Sequence, residues 1–259
     1  MFYHRVMRMQ SYLSNPPAQR PGGGRTGEFL PVAAGRRPLY AVLALTLTAG
    51  LLFAGADEDK RLENATAMFG EIMDTPDKAI PQDLLDKASC IVLVPGLKKG
   101  AFIFGAKYGR GFVLCRKKSG PGWSAPGAVR VEGGSFGLQI GGSETDVVML
   151  VMNDRGAERL LGSKFTLGGE ASAAAGPVGR TTSAETDATM RAEILTWSRA
   201  RGVFAGISLK GATLRRDNEA VKGMYGKEMR NRDIVFGAVK PPASAEKLVA
   251  LLNKYSGRK

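Results

Sequence analysis

The sequence predicts an α+β fold: a curved, mainly antiparallel sheet or partial barrel with short helices covering its ends. Three observations carry this reading. Apolar runs of strand length follow one another between Ala88 and Met152. Glycines, 34 of 259 residues, recur inside those runs, where they mark bulges, tight bends or close backbone approach. Stretches with helical spacing flank the glycine-rich part on both sides.

Taken in order, residues 1–37 are rich in Pro, Gly and Arg, cannot bury a core and read as a disordered basic extension. Residues 38–56 supply an uncharged apolar region, Leu39 to Ala56, which ends in small residues just before Asp57-Glu58-Asp59. A positive flank, an apolar stretch and a small-residue end describe a secretory signal peptide cleaved after Ala56, with a retained anchor as the alternative. The expectation is a periplasmic or secreted domain spanning 57–259, with peripheral membrane association.

Within that domain, Asp57 to Asp77 reads as a helix with Leu62, Ala65, Phe69, Ile72 and Met73 on one face, and Gln82 to Ala88 as a shorter one. The acidic polar face of the first argues that it packs on the sheet and does not lie on an anionic bilayer. Cys90 to Val94 reads as a strand stopped by Pro95-Gly96. Gly100 to Gly105 and Phe112 to Arg116 then form a hairpin around the turn Lys107 to Gly111. Gly133 to Gly142 and Asp146 to Met152 supply further strands. Asn153-Asp154 caps a short helix that ends at Gly162. Phe165 to Gly169, Glu170 to Ala175, Ala192 to Ser198 and Gly202 to Leu209 are strand material, and Asn218 to Tyr225 and Ala243 to Tyr255 are closing helices. Cys90 and Cys115 both sit in strand patterns and read as two packed thiols, with a disulfide as the alternative if the strands are neighbours.

Charge singles out one stretch. From Lys87 to Val131 there are nine Lys/Arg and no Asp or Glu. The whole chain carries +13, and the six arginines and one glutamate of residues 1–56 leave +8 on the remainder. Lys98, Lys99, Lys107, Arg110, Arg116, Lys117 and Lys118 fall at predicted loops and strand ends, interleaved with Phe102, Phe104, Tyr108 and Trp123. They read as an electrostatic footprint for an anionic partner; a solvated polar face is the bland alternative.

Several motifs occur in one order: Lys98-Lys-Gly-Ala-Phe-Ile-Phe-Gly105, Tyr108-Gly-Arg-Gly111, Gly122-Trp-Ser-Ala-Pro126, Gly133-Gly-Ser-Phe-Gly-Leu-Gln-Ile-Gly141, Met152-Asn-Asp154, Ala174-Ala-Gly-Pro-Val-Gly-Arg180 and Gly202-Val-Phe-Ala-Gly-Ile-Ser-Leu209. From about Leu84 to Tyr225 this series resembles the SYLF domain, a lipid-binding module also found in yeast and animal proteins that regulate cortical actin. The resemblance implies non-enzymatic binding of anionic, phosphoinositide-like headgroups, with the seven cations above as phosphate contacts. The alternative it implies is a protein-interaction module with an acidic partner such as actin.

Other chemistry is poorly supplied. The single His, His4, lies outside the predicted domain, which removes His-dependent triads and zinc sites from it. Two Cys without CxxC spacing make no structural zinc site, and Gly133 to Gly142 lacks the Gly-Lys-Ser/Thr ending of a phosphate-binding loop. A Ser–Lys nucleophile pair at Ser135 has no identified base. No catalytic residue, metal or cofactor is expected, and no nucleic-acid motif accompanies the charge.

Overall fold

The computed structural model describes residues 39–75, 79–101, 104–136, 141–169, 172–177, 191–200, 203–206, 209 and 211–257. The expectations for residues 1–37 lie outside these, and 39–55 are described by backbone alone. The chain divides at Val42 into two units, and all that follows concerns the second, Leu43–Lys259.

Helix α1 (Leu39–Asp74), which belongs to this unit from Leu43 onward, runs through the predicted cleavage point and ends three residues before the expected stop. Its Leu62, Ala65, Met68, Phe69 and Ile72 recur at helical spacing and are at most 2% exposed. Helix α2 (Gln82–Lys87) buries Leu85 and leaves Leu84 half-buried. Helix α3 (Asp154–Leu160) starts where expected, because the Asn153 side chain accepts the Gly156 N–H at 2.8 Å. Helix α4 (Asn218–Tyr225) is capped by Asp217 and stopped by left-handed Gly226. Helix α5 (Asn231–Phe236) was not anticipated from the sequence. Helix α6 (Glu246–Ser256) follows a 3-10 turn at Ala243–Ala245 and buries Leu248 and Leu252.

The strands are β1 (Cys90–Ala101), β2 (Phe104–Cys115), β3 (Gly127–Phe136), β4 (Gly141–Val151), β5 (Lys164–Thr166), β6 (Ala173–Ala175), β7 (Ile194–Ala200), β8 (Val203–Gly206) and β9 (Thr213–Arg216). They form one curled sheet in the order β5-β9-β3-β2-β1-β4-β7-β6, with β8 also on β7; every pair is antiparallel except β6 with β7. Alternation divides the side chains between two faces. Ile91, Leu93, Phe112, Leu114, Val148, Leu150, Leu195 and Trp197 pack with α1, α2 and α6, and this is the helical face. Val92, Val94, Val113, Val129, Val131, Val147 and Met149 face the other way and pack with Phe165, Leu214 and α3.

The first hairpin differs from the expected one. Pro95-Gly96 does not end β1. It makes a bulge, with a register shift against both neighbours. A proline has no N–H to give a central ladder, so the strand kinks locally and continues. Gly96 takes φ +64°, and its N–H is donated to Asp146 Oδ1 at 3.0 Å. Beside the bulge, a Cβ on Gly111 would collide with the Leu93 carbonyl, and one on Gly109 would lie 2.8 Å from Leu97 and 2.9 Å from Val94. Lys107 to Gly111 is therefore the interior of β2 and not a turn; the chain reverses between Ala101 and Phe104. Gly133 to Gly142 likewise spans the end of β3 and the start of β4 and is not one strand.

The cysteines correct the thiol reading. Cys90 and Cys115 are direct partners in the β1–β2 register, fully buried, and joined by a disulfide with S–S 2.02 Å. Two predictions follow from these contacts. Replacing both cysteines by Ala should lower unfolding stability by about 3 kcal/mol, since the bond closes a loop of 25 residues; denaturant melts with and without reductant check it. Gly111→Ala should cost roughly 1–3 kcal/mol or more, because the obstruction is backbone and cannot rotate away.

Candidate functional site

The seven cations singled out in the sequence do not form one surface. Lys98, Lys99 and Lys107 lie near the tip of the β1–β2 hairpin, and Lys117 and Lys118 follow its other end. Ten residues of extended chain separate Lys107 from Lys117, about 33 Å. The tip is itself divided. Lys98 pairs with Tyr108 on the helical face, whereas Lys99 pairs directly with Lys107 on the opposite face. Partial burial, and secondarily the like charge of Lys107, lower the Lys99 pKa from its ordinary value. At the other end, Lys117 and Lys118 are exposed, and Lys118 lies 4.5 Å from the ring centre of Phe236.

Arg110 and Arg116 are held inside. Arg116 is 9% exposed, and its guanidinium donates to the carbonyls of Leu85 (3.0 Å), Ala88 (3.3 Å) and Ser256, and to the Ser256 hydroxyl. It also stacks 4.1 Å above the Trp123 ring, whose Nε1 donates to the Ser256 carbonyl at 3.1 Å. Trp123, one of the aromatics interleaved with the cations, is fully buried and so is also held inside. Sequence shows the sign of a charge but not the carbonyls that converge on it. Here the C-terminal ends of α2 and α6 do so, and a cation is favoured at both.

Arg110 and a second arginine, Arg199, tie α1 to the sheet. Arg110 on β2 bridges Glu58 of α1, at 3.3 Å, and Asp217, the cap of α4. The Asp217 hydrogen bond above all raises the Arg110 pKa. Burial alone would raise Asp217, but the Arg110 bond and the Ala220 N–H outweigh it and hold the carboxyl below its ordinary range. Arg199 on β7 bridges Glu71 of α1 and Asp146 of β4, the latter at 2.7 Å, and Asp146 in turn holds the Gly96 bulge. Glu58 and Glu71 are thirteen residues apart, so the two ties sit about 20 Å apart along the helix. Between α1 and β1, β2 and β4 lies a groove of about 590 Å3.

A second set of cations emerges only from strand register. Lys164 (β5), Arg215 (β9), Arg130 (β3) and Arg110 (β2) are successive lateral partners, so they share the helical face in one row across four strands. The next row, two residues along, contains Thr166, Thr213, Glu132, Tyr108 and Lys98. Glu132 holds Arg130 at 2.8 Å and Arg215 at 3.2 Å, and the row remains part-exposed. Tyr108 is 50% exposed, and Lys98 and Lys164 are exposed. No spacing in the chain brings residues 98, 130, 164 and 215 together, so sequence reasoning had no handle on this surface. The side chains of Phe102, Phe104 and Ser135 lie outside those described. Among the described residues, no cluster of three His, Cys, Asp or Glu could hold a metal ion.

The chain is similar to known proteins of one family. Residues 132–255 match a family model described as Ysc84, Las17-binding protein actin regulator. The chain is 36% identical over 202 residues to the rat SH3 domain-containing YSC84-like protein 1, and 34% identical over 202 residues to its human counterpart. Those alignments cover 77% of this chain and 59% and 58% of the relatives. It is also 34% identical over 181 residues to LAS seventeen-binding protein 3 of Saccharomyces cerevisiae, covering 68% of this chain and 39% of that protein. The chain thus spans less than two thirds of the length of these relatives.

Two expectations follow for the internal arginines. Arg116→Ala should destabilise the domain by about 3–5 kcal/mol, as removal of a buried hydrogen-bonded charge does; Lys117→Ala should change stability by less than about 0.5 kcal/mol, both read by denaturant melts. Asp217→Asn should destabilise the domain at neutral pH. Because the folded-state pKa of Asp217 is depressed, its contribution is complete above the unfolded carboxylate value and is lost as pH falls through the folded one. The gap between wild type and Asp217→Asn should therefore narrow as pH drops below about 4.

Proposed function

The chain belongs to the Ysc84, or SYLF-domain, family, and from that premise we propose that it is a non-enzymatic interaction module whose cationic sheet face docks an acidic protein surface such as that of actin. The observation that carries this reading is the lateral row Lys164–Arg215–Arg130 on the part of the helical face beside β5 and β9. Lys164 and Arg215 fall within the segment matched by the actin-regulator family. Three neighbouring strands set the row's spacing, so the charges are positioned before any partner arrives, which lowers the ordering cost of docking. Opposite charge on the partner would speed encounter and make it salt-sensitive. The buried Cys90–Cys115 bond is of a kind favoured in oxidising compartments, which supports export of the domain.

A second reading, peripheral binding to anionic phospholipid, is favoured by a different observation. Tyr108 is half exposed beside Lys98 near the hairpin tip, with Lys99 and Lys107 on the reverse face of the same two strands. Lysines near an anionic membrane contribute about 1 kcal/mol each, so three give reversible attachment.

Co-sedimentation separates the two. The triple variant Lys164→Glu, Arg130→Glu, Arg215→Glu should lose pelleting with actin filaments while remaining folded at a lower melting temperature, since the new carboxylates face one another and Glu132, whereas Lys98→Glu, Lys99→Glu, Lys107→Glu should keep pelleting. With anionic vesicles the outcomes should reverse, the tip variant losing roughly 100-fold in affinity. Filament binding unchanged in the row variant would overturn the first reading.

A further inference from the structure

Nine charged side chains line the groove between α1 and the sheet. Five of them, Arg61, Glu71, Arg110, Asp146 and Arg199, are ion-paired. The other four, Asp57 and Lys60 on α1, Lys98 on β1 and Glu144 on β4, have no such partner among the described residues. This is not for want of proximity. Lys98 and Glu144 are direct cross-strand partners, a position in which opposite charges ordinarily pair. Glu144 instead lies over the bulge, where its carboxylate would meet any Cβ placed on Gly96. The groove therefore presents two cations and two anions to the same cavity without neutralising them.

A purely anionic ligand would enter against Asp57 and Glu144, and a purely cationic one against Lys60 and Lys98. A ligand carrying both charges satisfies all four. We infer that this groove binds a phosphate ester bearing a primary ammonium group, the phosphoethanolamine class. The phosphate sits against Lys60 and Lys98, with the Tyr108 hydroxyl as a further donor, and the ammonium against Glu144 and Asp57. Glu144, Lys98 and Tyr108 occupy one lateral row on three adjacent strands. In an extended phosphoethanolamine the phosphorus and the ammonium nitrogen lie roughly one strand spacing apart, about 4.8 Å. A primary ammonium gives three N–H donors to the carboxylates, and a quaternary one gives none. The cavity of about 590 Å3 is within the ordinary range for a small-molecule site. This site does not depend on the protein-docking reading, because none of its four unpaired charges belongs to the Lys164–Arg215–Arg130 row.

The class has two sources, a lipid headgroup and a free ester. The full chain is titrated by NMR with glycerophosphoethanolamine, glycerophosphocholine and inorganic phosphate. Saturable shifts around Gly96, Lys98 and Glu144 are expected with the first, at about tenfold lower concentration than with the other two. Glu144→Gln should weaken the first by about tenfold and leave phosphate unaffected or slightly tighter. Equal response to phosphate alone, an unaltered Glu144→Gln titration, or no saturable shift would overturn the inference. Vesicles of phosphatidylcholine with and without phosphatidylethanolamine, both uncharged overall, then identify the source. A preference for phosphatidylethanolamine that is lost in Glu144→Gln assigns a bilayer headgroup; binding of the soluble ester without that preference assigns a free one. Failure here leaves filament binding by the Lys164–Arg215–Arg130 row untouched; Lys98 is common to this site and to the hairpin tip, and Glu144→Gln, which the tip reading does not use, separates the two.

Discussion

The buried guanidinium of Arg116 is the interaction on which the helical layer depends. It sits at the end of β2, next to the Cys90–Cys115 bond, and receives the carbonyls of Leu85, Ala88 and Ser256. These carbonyls belong to the C-terminal ends of α2 and α6, which otherwise have no intrahelical donors. One planar cation with five N–H groups can satisfy several such acceptors at once, and a lysine could not reproduce that geometry. Trp123 seals the arrangement from one side and adds its own donor to Ser256. With α2 and α6 fixed, their apolar faces and that of α1 close over Ile91, Leu93, Phe112 and Leu114.

Two further arginines do for α1 what Arg116 does for α2 and α6. Arg110 and Arg199 each join a glutamate of the helix to an aspartate held elsewhere, Asp217 at a helix cap and Asp146 at a strand bulge. Each aspartate also accepts a backbone N–H, so the cation binds a carboxylate that is already positioned. The basic composition of the chain is therefore divided. Arg110, Arg116 and Arg199 serve the interior, and Arg130, Lys164, Arg215, Lys98 and Lys107 remain toward solvent to varying degrees.

Much of this architecture was legible in the sequence. Helical spacing identified the buried face of α1, Asn153 located the start of α3, and glycine-punctuated apolar runs gave a curved antiparallel sheet. The errors have physical causes. Pro95-Gly96 is a local signal for both a strand end and a bulge, and only pairing with β2 and β4 decides between them. The pairing of Cys90 with Cys115 required the same register. The cluster Lys98 to Lys118 was visible as composition, but a strand about 33 Å long distributes it over two ends and two faces. Arg116 could not be separated from Lys117 by sequence, since what distinguishes them is the convergence of two distant helix termini. The row through Lys164 and Arg215 depends on β5 and β9, two strands of three and four residues that give almost no periodic signal.

The central claim is that partner contact falls on the row through Lys164 on the helical face and not on the hairpin tip. Covalent lysine footprinting with mass spectrometry, on the full chain with and without actin filaments, tests it most directly. Lys164 should be protected by the filament while Lys99 and Lys107 keep their reactivity. Protection of Lys99 and Lys107 with Lys164 fully reactive would contradict it and move the docking surface to the tip.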